Sequence, residues 1–85
     1  MSDEELPIFV HWSQFLHWLL NTTLKFPKRV RFTFSSRIDN LALDIVELLI
    51  EARYSHEKIA LLKRINLHLE KLRILLRISN EEHFL

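Results

Sequence analysis

An all-α chain is predicted by two omissions and one pattern. Among the 85 residues there is no glycine, and proline occurs only at Pro7 and Pro27. Few positions are left at which a hairpin or a phosphate-cradling loop could turn the backbone. The pattern is three long stretches in which apolar residues return every third or fourth position. The expected architecture is an antiparallel, up-and-down helical arrangement over about residues 7–24, 28–53 and 56–79. One domain spanning 1–85 is expected, near the lower limit for a self-sufficient core.

The first helix is expected to start at Pro7, whose missing N–H would be unsatisfied in a first turn anyway, with Asp3, Glu4 and Glu5 upstream suiting the positive end of the helix dipole. Ile8, Trp12, Phe15 and Leu19 form its stripe, widened by Phe9, Leu16 and Leu20. Trp18 falls outside that stripe. A ring of that size is a candidate contact for another helix or subunit.

Residues 26–54 organise the rest of the chain: a basic, aromatic lead-in runs straight into a long apolar helix. The helix is expected to start at Lys28 or Val30, with Ser35 and Ser36 a weak point in its first half. Ile38, Leu41, Ile45, Leu48 and Ala52 mark one apolar face, and Leu43, Val46 and Ile50 a second line. Asp39, Asp44, Glu47 and Glu51 keep part of the circumference wet. A helix apolar on two sides needs neighbours on two sides. Phe32 and Phe34 are expected in the core.

Tyr54 and Ser55 form the next turn, with Ser55 the expected N-cap of the third helix and Glu57 in its first turn. Leu62, Ile65, Leu69, Leu72 and Leu76 follow heptad spacing. Leu61, Leu67, Ile74, Leu75 and Ile78 spread round the back. Asn80 is the expected C-cap, and residues 81–85 are either frayed or the beginning of a further element. The short connections favour antiparallel neighbours, three quarters of a four-helix bundle. Helices two and three carry more apolar surface than three helices can cover. Either a fourth helix is missing or other subunits supply the cover, so an oligomer is expected through Trp18, Leu43, Val46, Ile50, Leu67, Ile74 and Ile78.

Composition narrows the chemistry. With no cysteine, disulfides and thiolate chemistry are excluded. The acidic N-terminus is unlike a signal peptide, and no apolar run approaches the roughly 18–20 residues of a membrane span. A soluble, cytoplasmic protein without a membrane partner is expected. The Glu-x-x-His pairs of a di-iron bundle are missing, and His11, His17, His56, His68 and His83 lack ligand spacing. Asp44, Glu47 and Glu51 read as a solvated face or as partners for cations on helix three. Arg77 and His83, the nearest approach to a ribonuclease pair, straddle a helix end where nothing would hold them rigidly. No enzyme, metal or cofactor is expected.

Charge is the stronger signal. The formal net charge is +1, but residues 6–80 hold twelve Lys and Arg against six Asp and Glu. Lys25, Lys28, Arg29, Arg31 and Arg37 interleave with Phe26, Phe32 and Phe34, while Lys63, Arg64, Lys71, Arg73 and Arg77 line the outer part of helix three. Cations among aromatics suit nucleic acid, the charges meeting phosphates and the rings stacking on unpaired bases. They also suit a solvated helix face over core phenylalanines, as in a purely protein-binding adaptor.

Phe26-Pro27-Lys28, Arg31-Phe32-Thr33, Arg37-Ile38 and the run from Leu41 to Tyr54 resemble the accessory variability determinant (Avd) family of diversity-generating retroelements. Asn66, Leu69 to Arg73 and Leu75 to Arg77 extend the resemblance, and Leu6-Pro7-Ile8 opens it. Four-helix proteins encoded in intervening sequences of 23S ribosomal RNA genes share the Phe-Pro-Lys start but differ in the second half of helix two. The resemblance implies a four-helix bundle assembling into a pentameric ring. It also implies a non-catalytic role, binding the element's reverse transcriptase and template RNA to support mutagenic cDNA synthesis and retrohoming. The matching basic positions are Lys28, Arg31, Arg37, Arg53, Lys71, Arg73 and Arg77. Family members usually continue into a fourth helix beyond the position of Leu85.

Overall fold

The computed structural model describes residues 7–85, and Asp3, Glu4 and Glu5, expected to favour the first helix, lie outside them. Helices α1 (Pro7–Thr23), α2 (Ser36–Tyr54) and α3 (Lys58–Glu81) carry the chain, with no strand among the described residues. A single 3-10 turn (Lys28–Val30) and a π-helical turn (Arg31–Ser35) lead into α2. Helical turns thus begin at Lys28, as expected, but in 3-10 and then π geometry; regular α geometry begins only at Ser36, in the expected weak point.

Helix α2 lies in the middle. It packs against α3 along its length and against α1 near its start, whereas α1 and α3 make little contact with each other. The α2–α3 pair is antiparallel, because Asp44 faces His68 and Phe34, just before α2, meets Phe84, just beyond α3. Leu19, Ile38, Ala42, Ile45, Leu48, Leu61, Ile65 and Leu72 form the core, joined by Phe26, Val30 and Phe84. The α2 face expected from the sequence holds: Ile38, Ile45 and Leu48 are buried, and Leu41 and Ala52 pack against them.

Polar contacts fix how α1 meets α2. The Trp12 indole N–H donates to the Ala42 carbonyl at 3.1 Å. At the end of α1, the buried Thr23 hydroxyl donates to an Asp39 carboxylate oxygen at 2.7 Å, and Ser35 Oγ donates to the Thr23 carbonyl at 3.4 Å. A buried hydroxyl without a partner would cost about 1–3 kcal/mol, so these bonds pin one relative placement of the two helices. Ile8, by contrast, is exposed rather than part of the α1 core stripe.

The heptad stripe of α3 needs the largest correction. Leu62 and Leu69 are 52% and 37% exposed, while Leu61, assigned to the back, is buried. The face turned to α2 runs through Leu61, Ile65, half-buried His68, Leu72 and fully buried Ser79. Two of these are polar, which hid the line from a count of apolar residues. His68 Nδ1 lies 2.8 Å from the Arg64 carbonyl, and Ser79 Oγ donates to the Leu75 carbonyl at 2.8 Å, so both satisfy themselves within the helix.

Both ends of α3 differ from expectation. Ser55 is not its N-cap: Ser55 Oγ accepts the Glu57 N–H at 2.9 Å before the helix begins, and Glu57 occupies the cap position without a side-chain cap bond. The C-cap is Glu82 rather than Asn80. Beyond it the His83 N–H donates to the Asn80 carbonyl at 3.1 Å and the Phe84 N–H to the Ser79 carbonyl at 2.8 Å. With His83 at φ 63°, this is a Schellman motif, with histidine standing where glycine is usual. It turns Phe84 back into the core.

Candidate nucleic-acid interface

The candidate interface lies where Phe26 to Arg37 crosses from α1 to α2. Pro27 is extended, at φ −57° and ψ 147°, and its carbonyl accepts the Val30 N–H at 3.1 Å to close the 3-10 turn. The next turn is wide, since the Ser36 N–H donates to the Arg31 carbonyl five residues back as well as to Thr33. Seven residues are almost two whole α-turns, so in an uninterrupted helix Arg31 would share the buried face of Ile38. The wider π turn rotates it off that face. Val30 and Ser35 go in, and Arg31, Phe32 and Thr33 all come out.

Phe32 is 85% exposed. Its expected place in the core is thus wrong, and only Phe34 of that pair packs inward, edge-on to Phe84 with ring centroids 5.4 Å apart. Phe26 meets the same ring at 6.0 Å, and the Arg29 guanidinium carbon lies 5.2 Å from its centroid. A cation over an aromatic face is attracted by the ring quadrupole, so Arg29 helps hold Phe84 in place.

Arg31 and Arg37 leave the start of α2 towards different neighbours. Arg31 lines a groove on the α1 side with Leu20, Leu24 and Asp39. Arg37 lines a groove of about 470 Å³ on the α3 side, where Lys71 stands with Leu41, Asp44, Ile74 and Leu75. Lys25, Lys28, Arg31, Arg37 and Lys71 are exposed, and none makes an ion pair among the described residues. Residues 25–37 contain no acid, and exposed Glu81 and Glu82 at the same end of the molecule pair with none of these cations.

The remaining predicted cations are differently placed. Arg64 shares a groove with Asp44, Glu47, Glu51 and His68, and His68 Nε2 lies 3.8 Å from Asp44. Arg73 forms a two-pronged pair with Glu70, its Nε donating at 3.2 Å. The Arg73 hydrogen bond holds the Glu70 carboxyl below its ordinary pKa, and the same bond raises the guanidinium. Arg53 is half-buried, 5.8 Å from the Tyr54 ring centroid. Lys63 and Arg77 are exposed on α3. Lys58, which the sequence did not single out, caps α2 by donating to the Ala52 carbonyl at 2.7 Å.

Of the residues expected at an oligomer interface, Trp18, Leu43, Ile50 and Leu67 are exposed, and Val46, Ile74 and Ile78 are half-buried. Trp18 stacks obliquely on Phe15 at 5.7 Å. Tyr54 and Ile59 add to the exposed apolar surface near the α2–α3 turn. Among the described residues no group of three or more His, Cys, Asp or Glu is placed to hold a metal ion. No described helix is long and apolar enough to cross a membrane.

These features define a small helical protein with a basic, aromatic turn at one end and uncovered apolar lines along its helices. A family model described as bAvd-like matches residues 8–85, nearly the whole chain, and the protein belongs to that family. No curated protein and no solved structure gave a match.

Proposed function

We propose that this protein is a non-catalytic accessory subunit of a diversity-generating retroelement. It binds the element's reverse transcriptase and template RNA in the cytoplasm and supports mutagenic cDNA synthesis and retrohoming. The observation that carries this reading is the bAvd-like match over residues 8–85, the same stretch that holds the acid-free cation cluster. That match also favours the retroelement over the ribosomal intervening-sequence proteins. In this reading Lys25, Lys28, Arg31, Arg37 and Lys71 meet phosphate first, because they stand exposed and make no ion pair among the described residues. Arg29, Lys63, Arg64, Arg53, Arg73 and Arg77 contribute less.

Assembly belongs to the same proposal. The three helices form part of a four-helix-type bundle, and copies associate, as a pentamer by family resemblance, through Trp18, Leu43, Ile50 and Leu67 with Val46, Ile74 and Ile78 beside them. Contiguous exposed apolar surface of this kind favours association.

Co-expression of the tagged protein with the retroelement's reverse transcriptase tests the proposal. The two should co-purify with the template RNA, and omitting the protein should abolish mutagenic cDNA while leaving polymerase activity on a generic primer–template. Normal mutagenic cDNA synthesis in its absence would overturn the reading. Selective recovery of 23S ribosomal RNA instead would favour the intervening-sequence class.

A further inference from the structure

We infer that the π-helical turn is a base-stacking platform, with Phe32 the ring on which an unpaired nucleobase rests, so that the interface takes single-stranded rather than duplex RNA. This deepens the proposed function and rests on its nucleic-acid reading.

Three observations meet at this turn. The first is Phe32 itself, 85% exposed on a chain that buries Phe26 and Phe84 and tucks Phe34 against the core. The second is backbone geometry: the Ser36 N–H to Arg31 carbonyl bond widens the turn and sends Arg31, Phe32 and Thr33 outward together. The turn is nevertheless anchored on both sides, by buried Val30 before it and by Ser35 bonded to the Thr23 carbonyl after it. A ring on an anchored turn loses little freedom when a base settles on it. The third is charge. Arg31 lines the groove towards α1 and Arg37 the groove towards α3, so cations flank the ring on both sides, and neither makes an ion pair among the described residues although Asp39 and Asp44 line the same grooves.

A strand lying across this turn would place its phosphates on Arg31 and Arg37 and one base over Phe32. In a duplex the faces of the bases are occupied by their neighbours, and an aromatic ring has nothing to stack on until a base is splayed out. Base–aromatic stacking is tolerant of sequence, because every base presents a π face. The platform therefore selects for unpaired nucleotides rather than for a motif. An interface with another protein would bury Phe32 equally well, but residues 25–37 would bring five cations and no acid to it, which favours a polyanion.

The test compares a fluorescein-labelled oligouridylate with a blunt RNA duplex of equal length, by anisotropy, for the wild type and for Phe32→Leu and Phe32→Trp. Because Phe32 is exposed, neither substitution should alter the melting curve. The wild type should prefer the single strand. Phe32→Leu should lose roughly five- to hundredfold of the single-strand affinity with duplex affinity unchanged, and Phe32→Trp should restore it. Salt-dependent RNA binding that Phe32→Leu leaves intact overturns the platform while the nucleic-acid reading stands. If Phe32→Leu lowers the oligomeric mass in sedimentation and leaves RNA binding intact, the ring belongs to a protein interface and the platform is likewise overturned. Absence of RNA binding by the wild type overturns both.

Discussion

At the end of the molecule where α2 begins, three segments converge: the last turn of α1, the π turn, and the chain folded back beyond α3. Thr23 bonds to Asp39, Ser35 bonds to Thr23, and Phe84 closes over Phe26 and Phe34 beneath Arg29. At the other end, where α2 turns into α3, the helices are regular, and among the described residues Ile50, Tyr54, Ile59 and Leu62 stand exposed. Acid-free residues 25–37 belong to the first end, while Arg64 sits among Asp44, Glu47 and Glu51 towards the second. The comparison teaches that departures from α geometry here are anchored and that they free cations, whereas the regular end leaves apolar surface waiting for a partner.

The largest effects should come from removing anchors of the first end. Phe84→Ala should cost about 3 kcal/mol of stability in urea unfolding, within the usual range for a buried phenylalanine. Ile59→Ala, a 73%-exposed residue at the second end, should change stability by no more than about 0.5 kcal/mol. Equal costs would erase the distinction between the ends.

The corrected face of α3 is open to a similar comparison. Leu72→Ala should destabilise by about 2–4 kcal/mol and Leu62→Ala by less than about 1 kcal/mol. If the two cost the same, the heptad face read from the sequence would be the one that packs. A smaller loss, about 1–2 kcal/mol, is expected for Thr23→Val, which keeps the shape of the side chain but strips Asp39 of its donor.

The proposed association runs through the exposed apolar lines. Leu43→Lys together with Leu67→Lys should lower the mass seen by light scattering across a dilution series, with the helical circular dichroism retained. These exposed positions test the interface more cleanly than half-buried Val46 or Ile74, where lysine would strain the fold as well. An assembly that survives both substitutions would move the interface to other faces.

Much of this was legible from residues alone. The absence of glycine fixed the class, and the spacing of Ile38, Ile45 and Leu48 located the face that became the core. Three things were not legible, each for a physical reason. The α3 core line passes through His68 and Ser79, so apolar periodicity preferred the neighbouring row of Leu62 and Leu69. Phe84 docks through a Schellman turn whose left-handed residue is His83, and without glycine the usual signal for that turn was missing. Phe32 was assigned inward because an aromatic before a helix is most often core. The clue was Arg31, which regular α geometry would have placed on the Ile38 face, so that some break in the helix had to carry it out.

We propose that the cations at the start of α2 meet phosphate and that those paired with carboxylates do not, and salt dependence tests this most directly. The dissociation constant for a labelled single-stranded RNA would be measured from low to moderate salt for three proteins: the wild type, a Lys28→Gln, Arg31→Gln, Arg37→Gln variant, and an Arg64→Gln, Arg73→Gln variant. Each phosphate contact to a single strand contributes about 0.7 to the log–log slope. The triple variant should therefore flatten the slope by about two units, and the double variant should leave it near the wild-type value. A slope unchanged by the triple substitution, or lowered as much per charge by the double one, would contradict the account.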